Sequence, residues 1–238
     1  MSQAAVLGVD CFAGSPAEAA SLVLARARAR ERGYACLCNV HVLVTAQHDA
    51  ALRGALDHAW TVFPDGSPVA WLARRQDAAA ARVAGAELME AVIGADGGVR
   101  HFLFGSTPEV LALLAERFGD AVVGTLSPPF GPVGSEAVDE IRAAEPDIVW
   151  CGLGAPKQEL WMAAHEDALA PAVLLGVGAA FDFLAGTKAR APRWMQRSSL
   201  EWAHRLATEP RRLAGRYART NTEFVVRACV ELARRRPA

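Results

Sequence analysis

Asp65 stands beside Gly66 in "VFPDGSPVAW" (62–71), at the close of an apolar run. A carboxylate held at a strand end can serve as a general base; an ordinary turn aspartate or helix cap leaves the same local signature. In "DIVWCGLGAPKQELW" (147–161) glycines are followed at once by Lys157, Gln158 and Glu159, more polar chemistry than a turn requires. The amides around Gly154 and the N-terminus of a helix starting near Pro156 can hold a diphosphate, with Lys157 or Gln158 as further donors. The plainer alternative is a strand–helix turn with a solvated lysine. "RVAGAELM" (82–89) brings Arg82 and Glu87 together as a site pair or a surface ion pair. Asn39 and His41 follow a strand end, where ligands bind, although a lone histidine also suits a structural role. Asp182, between two phenylalanines and after the glycine turn that contains Gly178, can accept hydrogen bonds from ribose hydroxyls.

These residues need a scaffold, and the chain alternates short apolar runs with longer helical stretches. Residues 4–10 and 34–40 read as strands, with a helix between them capped by Ser15, opened by Pro16 and closed by Gly33. A second helix is expected over 41–57 and a short strand over 59–63. From residue 100 the pattern becomes regular: "HFLFG", "DAVVGTL", "DIVWCGLG" and "AVLLGVG" as strands, separated by helices. Strand–helix repeats imply right-handed crossovers and a mostly parallel sheet. In such sheets ligands bind beyond the carboxyl ends of the strands. Gly105, Gly154 and Gly178 fall at those ends.

The fold class expected is therefore α/β. A smaller N-terminal α/β region (1–95) would carry Asp65, a Rossmann-like sheet (96–190) would bind nucleotide, and a basic helical tail (191–238) would follow. The 238 residues are 52% hydrophobic, enough for a sizeable core. The five cysteines show no CxxC spacing and read as reduced thiols, with Cys36 and Cys38 alternating along a strand so that one faces the core. The N-terminus lacks the features of a signal peptide. The longest apolar stretch, broken by Asp182 and glycines, is too short to span a bilayer.

A net charge of −1 conceals an asymmetry. From Lys188 onward there are 13 Lys+Arg against 4 Asp+Glu, and before it 12 against 22. Such a tail points to an anionic partner. Leu213, Tyr217, Phe224, Ala228 and Leu232 fall on one helical stripe, with Arg212, Arg216, Arg219 and Arg227 around it. A basic amphipathic helix of this kind suits a membrane surface. Trp194, Trp202 and Tyr217 interleave with arginines, as in nucleic-acid binders, but no nucleic-acid motif is present and no nucleic-acid partner is expected. Neither GxGxxG nor a Walker A sequence occurs. No D-x-D occurs either, so a metal-independent site without cofactor is expected.

Taken together, Asn39, "DG" at 65–66, "RVAG" with an acid at 87, "FG" at 104–105, "PDIVWCGLGAPKQE" (146–159), "GVGAAFDFLAG" (176–186), "RAPRW" (190–194) and "LEWAHRLATEPRRL" (200–213) resemble the WecG/TagA/CpsF family of bacterial glycosyltransferases, in the family's order and over nearly the whole chain. The resemblance implies inverting transfer from a UDP-sugar to a polyprenyl-diphosphate-linked saccharide on the inner face of the cytoplasmic membrane, in cell-surface polysaccharide synthesis. The sugar implied is of N-acetylmannosamine type, its uronic acid, or a hexose. It implies Asp65 as the base, with Asn39 and Arg82 in the catalytic group. It places Gly105, Gly154, Lys157, Gln158, Gly178 and Asp182 at the donor, and Arg205, Arg212 and Arg216 of the tail at the acceptor or its diphosphate. A peripheral association with anionic membrane and a homo-oligomer are further expectations. The chain departs from the family pattern at Leu37, at Pro68 within "DGSP", at Glu87 and in "GTLSPPFGPVG" (124–134). Those changes bear on donor and acceptor identity more than on reaction class.

Overall fold

The computed structural model describes residues 1–95, 97–129, 131, 133–189, 191–192, 194–195, 201–208 and 210–234, with all their side chains except those of Arg205, Arg212, Leu213 and Arg216. Residues 4–10, expected as one strand, form a hairpin of β1 (Gln3–Val6) and β2 (Val9–Phe12), with Val6 opposite Val9. The turn residues Leu7 and Gly8 both have positive φ, 49° and 78°. That is the two-residue hairpin geometry whose twist matches the flanking strands.

Helix α1 (Pro16–Arg28) starts with a reciprocal capping box between Ser15 and Glu18 and buries Ala19, Ala20, Val23, Leu24 and Ala27 on one stripe. After β3 (Gly33–Cys38) the single helix expected over 41–57 is two, α2 (Val40–Ala46) and α3 (Ala50–His58). Asp49 divides them, its carboxylate accepting from the Ala51 and Leu52 amides at 3.0 Å each. Then follow β4 (Thr61–Pro64), α4 (Ser67–Arg74) and α5 (Gly85–Gly94). Next come β5 (His101–Gly105), α6 (Pro108–Phe118), β6 (Val122–Leu126), α7 (Ser135–Ala143) and β7 (Ile148–Gly152). The series closes with α8 (Lys157–His165), β8 (Val173–Gly176) and α9 (Ala180–Leu184). A first tail helix (Glu201–Thr208) and a terminal helix (Pro210–Arg234) follow.

The fold is α/β and Rossmann-like. Six strands make one all-parallel sheet in the order β4-β3-β8-β7-β5-β6. Strands β3 and β4, from the N-terminal stretch, continue the same sheet through the β3–β8 pairing. Helices cover both faces, and the central strands are buried throughout, as a parallel sheet requires. Side-chain alternation divides the core. Tyr34, Cys36, Cys38, Val149, Cys151 and Leu174 lie in one layer, and Ala35, Leu37, Ile148, Trp150, Val173 and Leu175 in the other. Cys36 and Cys38 therefore share a face, since residues two apart on a strand point the same way, and both are buried. Cys11 and Cys151 are buried too, while Cys229 is exposed. Burial pushes the Cys11 thiol up to about 12 and those of Cys36, Cys38 and Cys151 well above the usual range, so these four are inert as nucleophiles.

Candidate functional site

The carboxyl ends of β3, β4, β5, β7 and β8 lie along one edge of the sheet. They carry, in turn, Asn39, Asp65, Gly105, Gly154 and Gly178. Segments far apart in the chain are brought together along that edge, where loops leave the strands.

Asp65 follows β4 directly, and its amide donates to Cys38 O at 2.9 Å, which ties the end of β4 to that of β3. Asn39 caps α2, with Oδ1 accepting from the amides of His41 (3.0 Å) and Val42 (3.2 Å). The Val83 amide donates to Pro64 O at 2.9 Å and draws the 80–84 segment along β4. Arg82 is thereby set beside Asp65, its Nε 3.8 Å from Asp65 Oδ1. Its Nη2 donates to Glu201 Oε2 of the first tail helix at 2.6 Å. Burial works against the Arg82 charge, but Asp65, Glu201 and Glu87 outweigh it and raise the pKa above its ordinary value. Glu87 itself is exposed in the first turn of α5.

The glycine loops after β7 and β8 are joined by Gln158. Its Oε1 accepts from the amides of Gly154 (3.2 Å) and Gly178 (3.1 Å). Its Nε2 donates to Glu159 Oε1 at 2.9 Å. Gln158 is 3% exposed and Glu159 is wholly buried. The two amides expected at the donor are thus already engaged inside the protein, and Gln158 is their partner. Lys157 donates to Gly131 O at 2.6 Å, linking α8 to the loop after β6. Gly105 is required by close approach: a Cβ there would lie 2.7 Å from the Gly152 carbonyl carbon, and φ is +106°. Asp182, on α9, pairs with Lys188 at 2.8 Å.

The tail stripe faces differently from the expectation of a lipid-facing surface. Phe224 and Ala228 are buried, and Leu232 packs on the same core. The terminal helix lies against α2. Glu223 Oε1 meets His48 Nε2 at 2.6 Å and accepts from Arg227 Nε at 2.7 Å. The Leu7 amide donates to Glu231 Oε2 at 2.9 Å, so the helix also holds the hairpin turn. A stripe that can bury its apolar face on its own domain does so, and the exposed apolar residues are instead Val225, Val226 and Val230 on the outer side. A cavity of about 420 Å³ between α2 and this helix is lined by His41, Thr45, His48, Asp49, Arg219 and Glu223. Arg205, Arg212 and Arg216 lie on the two tail helices, with side chains outside the described residues, and Arg190 and Arg193 are wholly outside them.

Two contacts at the candidate site escaped the sequence reading. Glu201 sits 119 residues from Arg82, and nothing local marks the pair. The burial of Gln158 and Glu159 did have a signal, because both share the helical stripe of Trp161 and Met162. Among the described residues, no three His, Cys, Asp or Glu side chains cluster closely enough to hold a metal ion, and no helix is long and apolar enough to cross a membrane. A family model described as "Glycosyl transferase WecG/TagA/CpsF family" matches residues 4–238.

Proposed function

The chain belongs to the WecG/TagA/CpsF family of glycosyl transferases, and on that premise we propose that it moves a sugar from a UDP-sugar to a polyprenyl-diphosphate-linked saccharide with inversion. The product serves cell-surface polysaccharide synthesis. Asp65 takes the proton of the acceptor hydroxyl as that oxygen bonds to the anomeric carbon, and the bond from that carbon to the β-phosphate oxygen breaks, releasing UDP. The observation that carries this reading is the position of Asp65 at the carboxyl edge of a parallel sheet, beside Arg82 and along the same edge as the glycine loops after β5, β7 and β8. A carboxylate there can meet an acceptor hydroxyl, while amides and cations stabilise the negative charge that develops on the departing diphosphate.

The donor diphosphate would lie along the loops after β5, β7 and β8, with the nucleoside toward Asp182. Lys157, Lys188 and the tail arginines supply positive charge, and the transfer is read as independent of metal. Arg82 is assigned to the base as much as to the diphosphate, since its guanidinium is shared by Asp65 and Glu201. The tail is read as a peripheral membrane element. Its outward surface combines Val225, Val226 and Val230 with the exposed Arg211 and Arg234, a pairing that anionic lipid attracts and holds. A panel of UDP-sugars tested against a short-chain lipid-diphosphate acceptor examines the proposal. Transfer from one UDP-sugar supports it; transfer only from donors of another nucleoside refutes the UDP assignment.

A further inference from the structure

Gly154 N and Gly178 N both point at one atom of the Gln158 side chain, at 3.2 and 3.1 Å. Two donors converge only on an acceptor, so that atom is the amide oxygen. The Gln158 NH2 group must then face the interior. A Cβ on Gly176 would lie 3.0 Å from Nε2, so the strand end is also shaped around this amide. Inside the protein Glu159 Oε1, 2.9 Å away, accepts from Nε2. The other oxygen, Oε2, is buried without a hydrogen-bond partner among the described residues.

A carboxyl group is an expensive choice for a wholly buried helix position, close enough to Cys36, Cys38 and Cys151 for its charge to act on their thiols. Among the described residues its side-chain partner is Gln158, and its own backbone amide lies close enough to act on the carboxyl as well. We propose that Glu159 is a positioning residue for the transfer reaction: it fixes the orientation of the Gln158 amide, and through it the spacing of the two glycine loops that follow β7 and β8. Glu159 touches no substrate in this scheme. Without an acceptor at position 159 the Gln158 amide turns or withdraws, Gly154 N and Gly178 N lose their shared oxygen, and the loops no longer hold one separation. Burial raises the Glu159 carboxyl above its ordinary pKa; in either protonation state one oxygen can accept from Gln158 Nε2, and an amide of the same shape offers the same acceptor.

The inference rests on the donor-site reading above for its catalytic consequence, but not for its structural one. The test therefore has two arms, carried out on the full chain as wild type, Glu159→Gln, Glu159→Met and Glu159→Asp. The first arm is hydrogen exchange of the Gly154 and Gly178 amides, followed residue by residue by NMR and compared with Val149 within β7. It needs no substrate. Glu159→Gln should exchange as wild type does. Glu159→Met should raise exchange at the two glycines at least about tenfold relative to Val149. Glu159→Asp, which withdraws the carboxyl by one methylene, should do likewise, and it decides the matter if the methionine variant does not fold. The second arm is steady-state transfer with the best UDP-sugar. Donor KM should rise about tenfold in the methionine and aspartate variants with a smaller change in kcat, and Glu159→Gln should restore it to within about threefold. Wild-type protection of both glycines in a folded methionine or aspartate variant overturns the proposal, and so does a Glu159→Gln protein that loses that protection. If exchange follows the prediction while no UDP-sugar is turned over, the donor assignment fails and the positioning role stands.

Discussion

The Arg82 guanidinium donates to the Glu201 carboxylate at 2.6 Å, joining the segment after α4, beside Asp65, to the first tail helix. Both side chains are mostly shielded, at 23% and 14% exposure, so the contact is stronger than a surface pair. Glu201→Ala should destabilise the protein by about 1–3 kcal/mol, the range for a hydrogen bond between charged groups that leaves its partner shielded. Thermal melting measures the effect, and an unchanged melting temperature would show that the tail is docked without this contact.

Glu159 adds a pH dependence. Burial raises its carboxyl above the ordinary value of 4.5, so between 4.5 and the folded pKa the native state holds a proton that the unfolded chain has lost. The stability contribution is thus complete below 4.5 and declines as pH rises through that window. Glu159→Gln carries no such penalty. Its melting temperature relative to wild type should climb as the buffer is taken upward from pH 4.5, and a constant difference would mean that Glu159 is ionised when folded.

The transfer should proceed without a divalent metal, because cations and amides are assigned to the leaving diphosphate. Activity in excess EDTA should match that with added magnesium or manganese. Complete loss in EDTA, restored by metal, would contradict the expectation.

The regular strand–helix alternation after residue 100 was legible because each strand is a short apolar run closed by glycine, and each helix keeps its stripe. The N-terminal hairpin was not, because "AVLGVD" reads continuously and only the positive φ of Leu7 and Gly8 breaks it. The division of α2 from α3 hid in a single cap at Asp49. Candidate site residues were visible as types at strand ends, but their partners were not. Gly105 marks a close backbone approach to Gly152, 47 residues on, and Arg82 finds Glu201 only through tertiary packing. Of the tail stripe from Leu213 to Leu232, Phe224 and Ala228 are buried and Leu232 packs on the core, while the Leu213 side chain lies outside the described residues; the period alone does not say whether lipid or the protein's own α2 covers such a stripe.

If the outward face of the terminal helix meets membrane, its exposed valines contribute without supporting the core. Val226→Asp with Val230→Asp should leave the melting temperature nearly unchanged and reduce binding to anionic liposomes about tenfold or more. Binding of the unaltered protein should weaken as salt rises. Equal sedimentation of the double variant and wild type with those liposomes would remove this face as the contact.

The most direct test of the account is the rate of sugar transfer by Asp65→Asn, measured beside its affinity for UDP. The substitution keeps the shape at the end of β4 and removes the group assigned to take the acceptor proton. A folded variant that binds UDP as wild type does but transfers about 10²- to 10⁴-fold more slowly is the predicted result. Transfer at near the wild-type rate would contradict the assignment of Asp65 as the base.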